Sequence, residues 1–500
     1  MKHPTILSRL IRSSATLSMF TATALIIGAT GLNAQQPKKS SIPSHPSKLV
    51  YKPLDWEVPL GSPYRSELAN GAVVYVAKDS ALPLIKVTAY LRYGSLSDPP
   101  GKEGLSSLYA AMLRHGGTEK FPADTLDELI DLLALKTGFS AGESQFSFTL
   151  SFLSEYSDQA FDIMREMFYH PVFDRKKLDK ERTIMLEAIR HRFDNPAPTL
   201  AAAYDKQLYA RQRASVLSTE ASLKNITRED LVTLHRSLFS PVNMIFCISG
   251  AFDRNAMVAR LDTLLAAPVP QKPLPPFPQV IVNAQKRLQF VQKPISQAYV
   301  RLGLPLFQRP HPDYYAMSLL NEILGGGGFT SRLGEKVRSD AGLTYSIYSV
   351  AESNYTYPAT FYISFFTKNE SFTHAVSLTL SIVQNIIDSG VTAEELDNAR
   401  ASLIGELPSM FRSADDIVGT YGWNEYYHRS PDHFKIYEQK LMAITREDLQ
   451  RVARTYLHPD SMYITVVGDT TALLHQRHDG FSLENLHPAV IAPDAIPEQP

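Results

Sequence analysis

The sequence predicts an α+β fold of two homologous domains, each an antiparallel sheet with helices packed on one face. The first of three observations is a repeat: Ile226-Thr-Arg-Glu-Asp-Leu231 recurs as Ile444-Thr-Arg-Glu-Asp-Leu449. The match continues at the same offset without gaps, setting Arg236 against Arg454, Pro241 against Pro459, Met244 against Met462 and Gly250 against Gly468. The second is the Pro-rich run Ala267-Pro-Val-Pro-Gln-Lys-Pro-Leu-Pro-Pro-Phe-Pro278, an extended, semi-rigid join between the copies. The third is the mixing of hairpin-like strands with amphipathic helices in each half, the pattern of sheets covered by helices.

In chain order, Lys2, Arg9 and Arg12 precede an apolar stretch from Ala15 to about Gly31, and small residues lead to Ala34. This reads as a secretory signal peptide over residues 1–34, an uncleaved anchor being the alternative. Residues 35–53 form a Pro/Ser/Lys-rich flexible leader. The first domain is placed at 54–266, the linker at 267–282, the second domain at 283–475 and an irregular tail at 476–500. Val73–Ala77, Ile85–Leu91 and Gln145–Phe152 carry strand patterns, and Ser154–Phe168 has helical spacing. Ala298–Leu304 and Tyr357–Phe366 read as strands and Tyr314–Leu324 as a helix. In each repeat Thr227 or Thr445 is the helix N-cap, with Asp230 or Asp448 three residues on. An apolar strand then ends at glycine, Met244–Gly250 and Met462–Gly468.

A net charge of −1 argues against a basic nucleic-acid surface or a polybasic membrane patch. Cys247 is the sole cysteine, so no intramolecular disulfide forms, and its apolar surroundings mark a buried thiol. After the signal segment no stretch is long and apolar enough to span a membrane.

Several motifs occur in order in the first half: Leu68-Ala-Asn-Gly-Ala-Val-Val-Tyr-Val76, Gly94-Ser-Leu-Ser-Asp98, Gly104-Leu-Ser-Ser-Leu-Tyr-Ala-Ala-Met-Leu113, Gly116-Gly-Thr118, His170-Pro-Val-Phe173 and Glu181-Arg-Thr-Ile-Met-Leu186. Leu324-Gly-Gly-Gly-Gly-Phe-Thr-Ser-Arg-Leu333 and Val337-Arg-Ser-Asp-Ala-Gly-Leu-Thr-Tyr-Ser346 follow in the second. Together they resemble the pitrilysin/insulinase family, which includes the mitochondrial processing peptidase, and imply half of a clamshell. Active members carry His-x-x-Glu-His on a helix, whose two histidines grip zinc while the glutamate activates water, and a glutamate from a second helix completes the ligands. Aligned on Gly104-Leu105 and Met112, this chain has Ser107 and Ala111 at the histidine positions and Ala110 at the glutamate position. Aligned through Glu181-Arg182, Ala188 stands at the distal ligand, at the family's own spacing from Ala111. Glu187 is adjacent but turned by about 100° on a helix, onto a solvated face. The pairs His475/His478 and His428/His433 lack a third ligand and read as surface or loop histidines. The metal site is therefore expected to be degenerate. Leu105, Leu108, Tyr109, Met112 and Leu113 nevertheless keep the helix's apolar stripe.

The binding chemistry is retained. Arg338 and Tyr345, separated by the same interval as in the family, match the pair directed from the C-terminal half toward the zinc site. A phenol can donate to a developing oxyanion, and arginine offers a fixed fork of donors. Gly325, Gly326, Gly327, Gly328 and Phe329 resemble a substrate-facing loop of the processing peptidase's regulatory subunit; the P-loop signature Gly-Lys-Ser/Thr is absent. Peptides in the family add to a sheet edge, and the strand near Ser144–Phe152 is the expected edge.

The expectation is a non-zinc, substrate-binding subunit of a heterodimeric insulinase-family zinc peptidase in the cell envelope. It binds no cofactor itself, its partner being a zinc-bearing homologous subunit and its substrate a peptide or unfolded protein. An inactive peptide-binding or scaffold protein is one alternative. An autonomous metalloendopeptidase is another, opposed by the missing ligands.

Overall fold

The structure is a computed structural model that describes residues 56–210, 212–240, 243–266, 273–284 and 287–496 and four isolated positions, 43, 45, 48 and 49. The expected signal peptide lies outside the described residues, as do nearly all of the leader and residues 267–272 of the linker. Two six-stranded sheets organise the rest. The first contains β1 (Arg65–Glu67), β2 (Val73–Lys78), β3 (Leu84–Leu91), β4 (Lys136–Ala141), β5 (Phe146–Leu153) and β6 (Met244–Gly250) in the order β1-β2-β6-β3-β5-β4. The second contains β7 (Leu288–Gln292), β8 (Gln297–Pro305), β9 (Ile347–Ala351), β10 (Thr360–Lys368), β11 (Tyr463–Gly468) and β12 (Ala489–Ile491) in the order β12-β7-β11-β8-β10-β9.

Helices of the first half are α1 (Leu105–His115), α2 (Ala123–Leu132), α3 (Ser157–Tyr169), α4 (Arg175–Arg190), α5 (Pro196–Leu208), α6 (Glu220–Asn225), α7 (Arg228–Leu238) and α8 (Arg254–Leu265). Those of the second are α9 (Tyr314–Asn321), α10 (Phe372–Ser389), α11 (Ala393–Glu406), α12 (Ala414–Tyr426), α13 (His433–Ala443), α14 (Arg446–Tyr456) and α15 (Thr470–Leu473).

The repeat survives in atomic detail. Thr227 and Thr445 cap α7 and α14 in capping boxes closed by Asp230 and Asp448. Arg182 on α4 bonds the carbonyls of Leu223 and Ile226. Its repeat mate Arg400 on α11 bonds those of Leu441 and Ile444.

Two expectations about the sheets change. They are mixed, because β2 pairs parallel with β6, and β7 pairs parallel with β11 and β12. The parallel partners are far apart in sequence, so no local pattern announces their pairing. β12 also gives order to part of the tail expected to be irregular. Helices cover both faces of each sheet, and the second cover is exchanged between the halves: α5 packs on β7, β8 and β11, and α12 packs on β2, β3 and β6.

Strand alternation explains the two covers. Val74 and Val76 of β2, with Phe246 and Ile248 of β6, join the first half's own helices in its core. Tyr75, Ala77 and Cys247 point the other way, against Val418 and Tyr421 of α12. Likewise Phe290, Ile464 and Val466 face the second half's own core, while Val291 and Val467 meet Leu200 and Ala203 of α5. The two exchanged helices are themselves repeat mates: Pro196 and Leu208, which bound α5, correspond to Ala414 and Tyr426, which bound α12.

Glycine sets the approach in both contacts. A Cβ on Gly422 of α12 would overlap the Cys247 sulfur and touch the Tyr90 ring; a Cβ on Gly303 of β8 would overlap the Tyr204 hydroxyl of α5. Cys247 is buried, as its sequence context implied, and burial pushes its thiol well up from the usual range. Polar bonds flank the helices. Tyr209 Oη donates to the Pro358 carbonyl at 2.7 Å, Tyr357 Oη to Glu143 at 2.6 Å and Tyr75 Oη to Glu425 at 2.8 Å.

Gly422→Ala is expected to destabilise the protein by roughly 1–3 kcal/mol through overpacking. Cys247→Ala should relieve part of that loss, so that urea unfolding of the double variant shows less than the summed effect. A second expectation concerns Asp205 of α5. Loss of solvent lifts its carboxyl to about 7, with Arg301 pulling it down and Glu352 and Glu143 adding to the rise. An unfolded aspartate ionises near 4. Its contribution to stability is therefore full below about pH 4 and is lost as the pH rises toward 7. Asp205→Asn should raise the unfolding midpoint relative to the parent more at pH 8 than at pH 4.

Candidate functional site

Helix α1 is seated by the loop before it. The buried Asp98 carboxylate accepts from the backbone of Gly104 and Ser106, each at 2.9 Å, and from the Ser106 hydroxyl at 3.2 Å. Burial raises this carboxyl to about 6 while those bonds hold it down. Gly94 lies so close to the carbonyls of Gly142 and Glu143 that a Cβ would overlap them. The inner stripe Leu105, Leu108, Tyr109, Met112 and Leu113 is buried, as its spacing predicts.

On the other side of α1, Ser107, Ala110, Ala111, Arg114 and His115 face Thr137–Ala141 of β4 and Glu181 of α4 across a cavity of about 560 Å³. The structure thus brings together three of the four expected metal-site positions. Ala188 sits exposed on α4, two turns beyond Glu181, and does not line the cavity. Glu187 is on a solvated face, as expected, paired with Arg190 at 3.2 Å and His191 at 3.0 Å.

The donors present do not fit a zinc ion of the family's kind. Two of the three α1 positions are alanines, the third carries a neutral hydroxyl, and no group of three or more His, Cys, Asp or Glu side chains able to hold a metal occurs among the described residues. Burial, then the Arg114 charge, holds His115 below the ordinary histidine range, with Glu181 pulling the other way. Arg114 is itself paired with Asp127 at 2.6 Å.

The expected edge strand is corrected. β5 lies between β3 and β4, so the free edge at this cavity is β4. Its segment Lys-Thr-Gly-Phe-Ser-Ala carries a central glycine and a weak apolar alternation, which hid it. Glu181 was also missed as a site residue. Its sequence signal was available, since two helical turns separate it from Ala188 on one helix face.

In the second half the glycine run begins inside one π-helical segment, Glu322–Gly326, and precedes a second, Gly334–Asp340, a geometry often found at functional sites. Gly325 packs against β9 so closely that a Cβ would overlap the Ser349 backbone nitrogen, and Gly328 has φ 63°. Arg332 ties the loop down, meeting Glu395 at 2.6 Å and the Gly390 carbonyl at 2.9 Å. Phe329, Arg338 and Tyr345 come together. The Arg338 guanidinium lies 4.1 Å from the Phe329 ring centroid and 5.5 Å from that of Tyr345, and its Nε donates to the Tyr345 carbonyl at 2.8 Å. Both rings project into solvent, Phe329 68 % and Tyr345 78 % exposed. None of these three residues lines the cavity beside α1.

Asp98→Ala strips α1 of its buried anchor and is expected to cost about 1–3 kcal/mol in chemical denaturation. Glu187→Ala should change stability by no more than about 0.5 kcal/mol.

Comparison with known proteins agrees with the two-domain fold. Residues 74–217 match the insulinase domain of peptidase family M16, and residues 225–403 match the peptidase M16 inactive domain. The "Non-peptidase homolog YmxG" of Helicobacter pylori is 28% identical over 344 residues, covering 68% of this chain and 78% of the relative. A crystal structure of a peptidase M16 inactive domain from Pseudomonas fluorescens superposes with a TM-score of 0.73 at 26% identity, covering 82% of this chain and 98% of that one. The periplasmic protease PqqL from Escherichia coli has the same fold, with a TM-score of 0.68 at 18% identity over 81% of this chain and 45% of its own. This chain belongs to the insulinase (peptidase M16) family, with two α+β domains of that type.

Proposed function

We propose that this chain is the metal-free, substrate-binding subunit of a two-chain insulinase-family peptidase of the cell envelope, its partner a homologous subunit that bears zinc. One juxtaposition carries the reading. The motif positions Ser107, Ala110 and Ala111 open a cavity without a ligand set, while Phe329, Arg338 and Tyr345 keep an ordered, solvent-facing cluster of donors and rings. A protein that had lost all contact with peptides would have no need to hold an arginine between two exposed aromatic rings.

Arg338 and Tyr345 lie apart from this chain's own cavity, which suits service to a site on another chain. The Arg338 terminal nitrogens are available to bond a substrate backbone or carboxylate, since among the described residues its Nε alone is used internally. The Tyr345 hydroxyl is in water and able to donate to a peptide carbonyl. PqqL is long enough to hold a second unit of this size, because the present chain covers under half of it. Its description as periplasmic and the signal-like N-terminus support an envelope location. No helix of the described residues is long and apolar enough to cross a membrane. A second reading, an inactive peptide-binding or scaffold protein, is favoured by the relative described as a non-peptidase homolog.

The purified chain is expected to bind no stoichiometric zinc and to cut no quenched fluorescent peptide. Mixed with a zinc-bearing homologue from the same cell, it should yield activity that Tyr345→Phe lowers at least tenfold in kcat and that Arg338→Ala weakens chiefly through KM. An inactive mixture at every ratio would establish the scaffold reading; chelator-sensitive activity of the lone chain would refute both.

A further inference from the structure

We infer that the cavity beside β4 receives the lysine or arginine side chain of a peptide laid along that strand. The inference deepens the proposed peptide-binding role and rests on it. Among the described residues β4 pairs on one side only, with β5, so its outer edge offers backbone groups to an added strand. In such a strand alternate side chains point to opposite faces. One face looks into the space between β4, α1 and α4, where Ser107, Ala110 and Ala111 leave about 560 Å³. That lies in the range of ligand pockets, roughly 300–1,000 Å³, and accepts a long side chain.

Charge selects which one. Arg114 is neutralised by Asp127 at 2.6 Å, and Lys177 nearby is taken by Asp124 at 2.9 Å. Glu181 interacts with His115 in the same wall but has no lysine or arginine within ion-pair distance among the described residues, so its carboxylate faces the cavity without a permanent counter-charge. Thr137 Oγ1, also in the wall, is buried without a hydrogen-bond partner among the described residues and can accept from an ammonium or guanidinium group. Phe139 adds an aromatic group to the same wall. An acidic side chain in this place would meet the like charge of Glu181 and leave the hydroxyl unused. Positions that hold a metal in active relatives thus become a recess for a basic residue.

The test uses fluorescence polarisation of the full chain with a fluorescein-labelled, uncharged Thr/Gln-rich peptide carrying one central lysine, and matched peptides with norleucine or glutamate in its place. The lysine peptide should bind about fivefold more tightly than the norleucine peptide, and the glutamate peptide most weakly. Glu181→Gln should erase the lysine preference while leaving norleucine binding unchanged, which also certifies that the variant is folded. Glu187→Gln should keep the preference. Equal binding of all three peptides, or a preference that persists in Glu181→Gln, overturns the assignment while peptide binding stands. Failure of every peptide to bind overturns the peptide-binding role itself, and the assignment with it.

Discussion

The fold depends on a reciprocal exchange of one helix. A sheet with helices on a single face would leave Tyr75, Ala77 and Cys247 in water in one half and Val291 and Val467 in the other. Each half covers the other's exposed face with the same element of the repeat, α5 or α12. The two contacts solve one packing problem in inverted ways. In one, the helix carries tyrosine and the strand glycine, Tyr204 against Gly303; in the other, the helix carries glycine and the strand tyrosine, Gly422 beside Tyr90. Tyr204 and Gly422 are repeat mates. Gly303 and Tyr90 occupy equivalent strand positions, since they lie opposite Tyr463 and Ile245, a further pair of repeat mates. Volume lost on one side of the interface is restored on the other, as close packing demands.

This exchange fixes where chemistry can occur. Because helices cover both faces of each sheet, binding surfaces remain chiefly at the edges. The two edges that carry candidate chemistry, β4 and β9, are equivalent in the two topologies. The repeat has diverged there. Beside β4 stand regular helices, α1 and α4, around a recess. Beside β9 the chain runs through two π-helical segments and four glycines, which bring Phe329 to Arg338. The repeated scaffold thus carries one concave and one projecting candidate site.

Much of this was legible in the sequence. The constant offset of the repeat, the Thr caps, the buried thiol and most strands could be read because each rests on local pattern or direct identity. The parallel pairing of β2 with β6 and the exchange of α5 and α12 could not, since they join segments far apart. Pattern reading shows that a strand has two apolar faces without saying which helix covers the second. At the site, the residues standing at the motif positions were readable one by one. The cavity was not, because the absence of a side chain becomes a volume only once β4 and α4 are placed around it. Glu181 was passed over because the alignment directed attention to the position of the missing ligand, two turns further along α4.

The seating of α1 is independent of what its outer face carries, because one helix separates the two tasks. Its inner face is fixed by Leu105, Leu108, Tyr109, Met112 and Leu113, and its start by Asp98; none of these touches the cavity. Ser107 and Ala111 lie outside the core, and Ala110, at its margin, adds a methyl group to it. These three residues therefore contribute nothing to the seating of α1 beyond that methyl group. The outer face could change its chemistry while the scaffold held β4 and Glu181 in place. A structural zinc would have tied the ligands to folding. Here the anchor is a carboxylate beneath the helix, so small side chains at Ser107, Ala110 and Ala111 leave a recess while α1 stays seated.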